Sequence, residues 1–66
     1  MNREELIEEI AALELDEDAA RFKIVDLERR WQSMMVVYRT NADRALRAIE
    51  RAGVELVYPS EEEAAD

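Results

Sequence analysis

The side chains that could do chemistry in this sequence are carboxylates and guanidinium groups: the 66 residues hold 17 acidic and nine basic side chains, with no histidine and no cysteine. Asp16, Glu17 and Asp18 are consecutive acids of the type that ligate calcium. A calcium loop starting at Asp16 would need glycine where Arg21 stands and a bidentate glutamate where Leu27 stands, so the match fails. Glu4 with Glu8 and Glu5 with Glu9 repeat at helical spacing, which describes a solvated helix face rather than a metal site. Without His or Cys there is no imidazole base and no thiol, and a single glycine leaves no phosphate-cradling loop. The expectation is a protein that is not an enzyme and uses no metal and no cofactor.

Interaction chemistry is better represented. Trp31, Met35, Tyr38 and Arg39 are of the types enriched at binding interfaces, and the polar ends of Tyr38 and Arg39 need a partner even where their stems are covered. These four are the candidate partner-binding residues. Ile24, Leu27, Trp31, Met34, Ala45 and Ile49 are the candidate dimer interface, because the middle of the chain carries more apolar perimeter than one small hairpin covers.

The element that must position them is Ala19 to Ala52. Ala20, Ile24, Leu27, Trp31, Met34, Tyr38, Ala42, Ala45, Ile49 and Ala52 follow at steps of three or four, which predicts one long amphipathic helix. The consecutive fours from Met34 to Tyr38 to Ala42 shift the heptad, so a perfect coiled-coil seam is not expected. Thr40 with Asp43 offers an internal cap pair, giving a bend near residues 39–41 as the alternative to a continuous helix, and a strand over Ser33 to Thr40 as a lesser one.

Before it, Asn2 caps a short helix starting at Arg3, with Glu5 at the capping-box position and Leu6, Ile7, Ile10, Ala11 and Leu13 as its apolar face. Leu15 to Asp18 is read as the connection, with Asp16 or Asp18 capping the next helix and Leu15 stapling over Ala20. Gly53 ends the long helix in a Schellman cap. Val54 to Pro59 then runs extended, as a clamp on the helices or as a strand paired elsewhere, and 60–66 is an acidic, disordered tail. The fold expected is thus all-α: a short N-terminal helix folded back on a long amphipathic one, in a single domain over 1–59 and as a helical homodimer, since a core this small needs a staple.

Charge is distributed in blocks. Met1 to Asp18 holds one basic and eight acidic residues, Ala19 to Ala52 eight and four, and Gly53 to Asp66 none and five, giving -7, +4 and -5. The acidic helix is expected beside the basic one, in the same or a partner chain, with ordinary surface ion pairs. No apolar stretch approaches a membrane span and the N-terminus lacks a secretory signal, so no membrane contact is expected and cytoplasm is the default location.

Size, acidity and helicity, and nothing more specific, resemble the small acidic phage-encoded inhibitors of host proteins. That resemblance implies a dimer that binds and blocks another protein, such as a basic DNA-binding transcription regulator whose phosphate-binding face the acids would occupy. The alternatives are a structural or assembly subunit, with Val54 to Tyr58 docking on a larger partner, and a DNA-binding dimer using the basic helix. Direct nucleic-acid binding is disfavoured by the net charge of -8. Exposed acidic ends would favour the first, a strand-paired Val54 to Tyr58 the second, and arginines clustered on one free face the third.

Overall fold

The structure is a computed structural model that describes residues 1–58. The tail over 60–66, and Pro59 at the end of the expected extended segment, lie outside the described residues. Two helices, α1 (Arg3–Phe22) and α2 (Leu27–Arg51), pack against each other as a helical hairpin, and there is no strand among the described residues.

α1 starts as its sequence dictates. Asn2 is extended and its side-chain oxygen accepts the Glu5 amide at 2.8 Å, satisfying one orphan donor of the first turn, while Glu4 and Glu5 face the positive end of the helix dipole.

The connection expected at Leu15 to Asp18 lies instead at Lys23 to Asp26. α1 is therefore not short, and the long helix begins at Leu27 rather than Ala19. Asp16 and Asp18 are interior helical residues and cap nothing, and Leu15 is a core residue with 0% exposure rather than a staple. The energetic reason is direct. Two aspartates inside a helix cost about 0.5 to 0.7 kcal/mol each relative to alanine, whereas burying one leucine contributes about 1.5 to 3. Continuing the helix through Leu15 also lengthens α1 enough to cover the distal half of α2, where Leu46 is buried and Arg3 reaches Asp43 and Glu50.

The turn itself is made without glycine. Lys23 (φ 52°) and Asp26 (φ 56°) both occupy the left-handed region, and the Lys23 and Ile24 amides both donate to the Ala19 carbonyl, the latter at 3.1 Å, closing the end of α1. Asp tolerates this conformation better than Lys does. Lys23→Gly is accordingly expected to raise stability by up to about 1 kcal/mol, read as a higher midpoint in thermal melts; a lower midpoint would mean that the lysine side chain contributes more than its backbone costs.

α2 is continuous from Leu27 to Arg51, so neither the bend near residues 39–41 nor a strand over 33–40 is present. Thr40 is not a cap: its hydroxyl donates to the Val36 carbonyl at 2.9 Å, back along the same helix. The end at Gly53 is as expected. Gly53 has φ +85°, its amide donates to the Glu50 carbonyl at 3.1 Å, and the Val54 amide reaches Ile49 at 3.4 Å, the two bonds of a Schellman motif. A Cβ added at Gly53 would meet nothing within 4 Å, so Gly53→Ala costs only the backbone conformation. About 1 kcal/mol, or a thermal midpoint lower by about 4 to 8 °C, is expected. Beyond it, 54–58 is neither helix nor strand; Leu56 and Tyr58 are half-buried and Val57 is exposed.

The core is small. Ala11 and Leu15 from α1 meet Met35 from α2, Ala12, Leu27, Trp31, Met34 and Tyr38 pack around them, and Ala42 and Leu46 extend the buried line along α2. No described helix is long and apolar enough to cross a membrane.

Candidate interaction surface

The four residues expected to face a partner divide once the hairpin is closed. Met35 is 1% exposed and forms the centre of the intramolecular core, so it has no surface left to offer, and that expectation is corrected for this conformation. Trp31 one helical turn before it, and Ala42 and Leu46 two and three turns further on, explain why: the inward stripe of α2 runs through Met35, one residue later than a seam centred on Met34. Trp31 and Tyr38 are half-buried on the flank of that stripe, as are Leu27 and Met34.

The polar ends of Tyr38 and Arg39 find partners within the chain. The Tyr38 hydroxyl donates to the Asp18 carboxylate at 2.5 Å, and the Arg39 guanidinium donates two hydrogen bonds to Glu8, at 2.6 and 2.8 Å. Both acids come from α1, which places the acidic helix against the basic one as the block charges imply. A third tie reverses the polarity. Arg3, the one base of the acidic segment, donates to Asp43 at 2.8 Å and to Glu50 at 3.1 Å through two of its nitrogens, and Asp43 also pairs with Arg47 at 3.0 Å. Sequence reasoning missed this clamp. Its only signal was a lone arginine among eight acids, and a partner for it cannot be named until the register of the two helices is known.

Of the residues expected at a dimer interface, Leu27, Trp31, Met34, Ala45 and Ile49 lie along one flank of α2, with Ala45 and Ile49 exposed, while Ile24 sits in the connection outside the helix. At the start of this flank an open groove of about 380 Å³ is lined by Leu27, Glu28, Trp31 and Gln32. It is surface relief with no converging catalytic groups, and the described residues hold no group of three carboxylates arranged for a metal ion.

The ties between the helices set an electrostatic window. Hydrogen bonding to Arg39 holds the Glu8 carboxyl below its ordinary range, and hydrogen bonding to Arg3 does the same for Asp43. The Asp18 carboxylate pushes the Tyr38 phenol upward. A depressed carboxyl contributes stability above its unfolded value and loses it as pH falls through the folded value. A raised phenol contributes below its unfolded value and loses it as pH rises. Melting midpoints are thus expected to decline at both ends of the pH scale. Tyr38→Phe should flatten the alkaline limb alone and Arg39→Gln should weaken the acid limb; an unchanged profile in both variants would mean that the ties are not maintained in solution.

What the hairpin leaves outside is charge-segregated. On the side of α2 turned away from α1 stand Arg30, Ser33, Val37, Thr40, Arg44 and Arg51, flanked by Arg29 and Arg47, all exposed. The acids of α2 stand beside this row rather than in it: Asp43 and Glu50 are drawn to Arg3, Asp43 also tying Arg47 at the edge, and Glu28 lines the groove on the flank. On the outer side of α1 stand Glu5, Glu9, Leu13, Asp16 and Glu17, again exposed. Leu13 is 64% exposed and Val37 57%, so each charged face has an apolar centre. The sequence expected Leu13 in the apolar face of α1; the structure turns it outward, because Ala11 and Leu15 take the inward positions. Compared with known protein families, with curated proteins and with solved structures, the chain matches none.

Proposed function

We propose that this chain is a small non-enzymatic protein-interaction module that binds and modulates a partner with a basic surface. The observation that supports it is the outer face of α1, where Glu5, Glu9, Asp16 and Glu17 are exposed and none of them pairs with a base among the described residues. Carboxylates spaced along a rigid helix can occupy the positions that phosphates take on a DNA-binding protein, and the complementary fields raise the association rate. The partner-facing surface is then the acidic side of α1 rather than Tyr38 and Arg39, whose polar ends are engaged within the hairpin.

The test is capture from the source cell on the immobilised chain at low and high salt, beside a Glu9→Lys, Asp16→Lys variant. A basic protein retained by the wild type, released by salt and not bound by the variant supports this reading, and adding the chain should then weaken that partner's hold on its own anionic ligand. A partner held equally by the variant would place the contact elsewhere.

A second reading draws on the arginine row of α2: cations clustered on one free face are what a phosphate-binding helix presents, here as a DNA-binding dimer. Duplex DNA binding with a steep salt dependence, lost on Arg30→Gln with Arg44→Gln, would favour it. The remaining reading, an assembly subunit, draws on the complementarity between the two outer faces.

A further inference from the structure

The arginine row of α2 needs an acidic counterpart, and the chain itself carries one of matching layout. We propose that the outer face of α2 binds the outer face of α1 of a second copy, so that hairpins associate face to back. This rests on the reading that the acidic side of α1 is a contact surface, and names its partner.

Three observations carry it. The first is charge: α2 presents Arg30, Arg44 and Arg51 outward, with Arg47 at the edge tied to Asp43, and α1 presents Glu5, Glu9, Asp16 and Glu17 outward, neither of these rows holding a residue of opposite sign. The second is layout. Both rows place charge at the two ends and an apolar residue in the middle, Val37 in one and Leu13 in the other. The charged ends are about 21 Å apart from Arg30 to Arg44 and about 18 Å apart from Glu5 to Glu17, at about 1.5 Å per residue.

The third is register. Within the hairpin the helices run antiparallel, with Glu8 beside Arg39 and Arg3 beside Asp43 and Glu50. A second hairpin set beside the first by simple translation puts its α1 antiparallel to the first chain's α2. In the register the hairpin already uses, Leu13 of the added copy comes to Val37, Asp16 and Glu17 come toward Arg30, and Glu5 and Glu9 come toward Arg44 and Arg47. Along the two outer rows, no position brings like charges together. Pairing two α2 outer faces about a two-fold axis would instead oppose arginine to arginine, which disfavours that face as the seam of a symmetric dimer.

Because the two contacting faces are different, each copy retains one free face of each kind, and association grows into a stack or a ring rather than stopping at two. The contact is built on exposed charges, so it weakens with salt.

Two variants test this. Arg30→Gln with Arg44→Gln disables the α2 face, and Glu9→Gln with Asp16→Asn disables the α1 face. All four positions are exposed, and helical circular dichroism checks that the fold is kept. In sedimentation at low salt the wild type should grow in mass with concentration and lose this in high salt. Each variant alone should remain a single chain. Mixed in equal amounts they should form a species of two chains and no larger, because each retains the one face that the other has lost.

A wild type that stays a single chain at low salt up to millimolar concentration overturns the proposal. So does a dimer that persists in both variants, which would point to the Leu27–Trp31–Met34 flank. A wild type that binds labelled duplex DNA through the same arginines without self-associating assigns the row to phosphates. Loss of self-association with the basic partner of the capture experiment still bound leaves the acidic face a contact surface and removes only this choice of occupant.

Discussion

Leu15→Ala is expected to remove a large share of the stability of the fold and to lower the melting midpoint sharply, while Leu13→Ala, two residues earlier on the same helix, leaves the helical signal and melting curve nearly unchanged. Leu15 is 0% exposed and seated against Ala11 and Met35, whereas Leu13 is 64% exposed. Truncating a buried leucine costs about 2 to 5 kcal/mol in lost transfer energy plus the cavity left behind. At roughly 0.05 to 0.15 kcal/mol per residue, a domain of this size has a total stability of about 3 to 10 kcal/mol, so one such change removes a large share of it. The paired design matters because both substitutions delete the same atoms and differ only in where the helix points them. Equal effects would contradict the register of α1, and a destabilised Leu13→Ala would show that its outer face is covered in solution.

Trp31→Ala carries the second large effect. The indole is half-buried and packs on the core cluster from the flank of α2, so the loss should be about 2 to 3 kcal/mol, below the roughly 3 to 5 of a fully enclosed ring. The concentration dependence of the melting midpoint separates its two possible roles. If Trp31 serves the hairpin alone, the drop is the same at every protein concentration. If a second copy covers the flank, wild-type stability rises with concentration and the variant loses that rise. A variant that melts like the wild type would remove Trp31 from both.

These two residues also show where sequence reasoning was strong and where it failed. The helical character of the chain, the Asn2 cap and the Gly53 stop were legible because each depends on bonds within a few residues: a side-chain oxygen reaching the Glu5 amide, or a positive φ that glycine adopts freely. The position of the turn was not legible. Leu15 to Asp18 carries the acids that commonly begin a helix, while the real turn at Lys23 to Asp26 places Lys and Asp in left-handed conformations that local preference assigns to glycine. Burial of Leu15 against Met35 outweighs those local costs, and it exists only once the second helix is in place.

The candidate surface follows the same division. Sequence periodicity assigned Trp31, Met34 and Tyr38 to the apolar stripe of one helix and left Met35 off it, and composition put acids and bases in separate blocks. Neither reveals which residue of a contiguous apolar run turns inward, and moving the inward stripe by one residue from Met34 to Met35 rotates every neighbour with it.

By itself, then, the amino-acid order determined what short-range bonding and composition control: an all-helical chain, its first cap, its last stop, the absence of His- and Cys-based chemistry, and the alternation of charge along its length. Tertiary structure alone decided the turn, the ties of Glu8 to Arg39, Asp18 to Tyr38 and Arg3 to Asp43 and Glu50, and the exposure of one acidic and one arginine-rich face. Those depend on the register between two helices, and that register is set by packing energies between residues far apart in the chain, which no local pattern records.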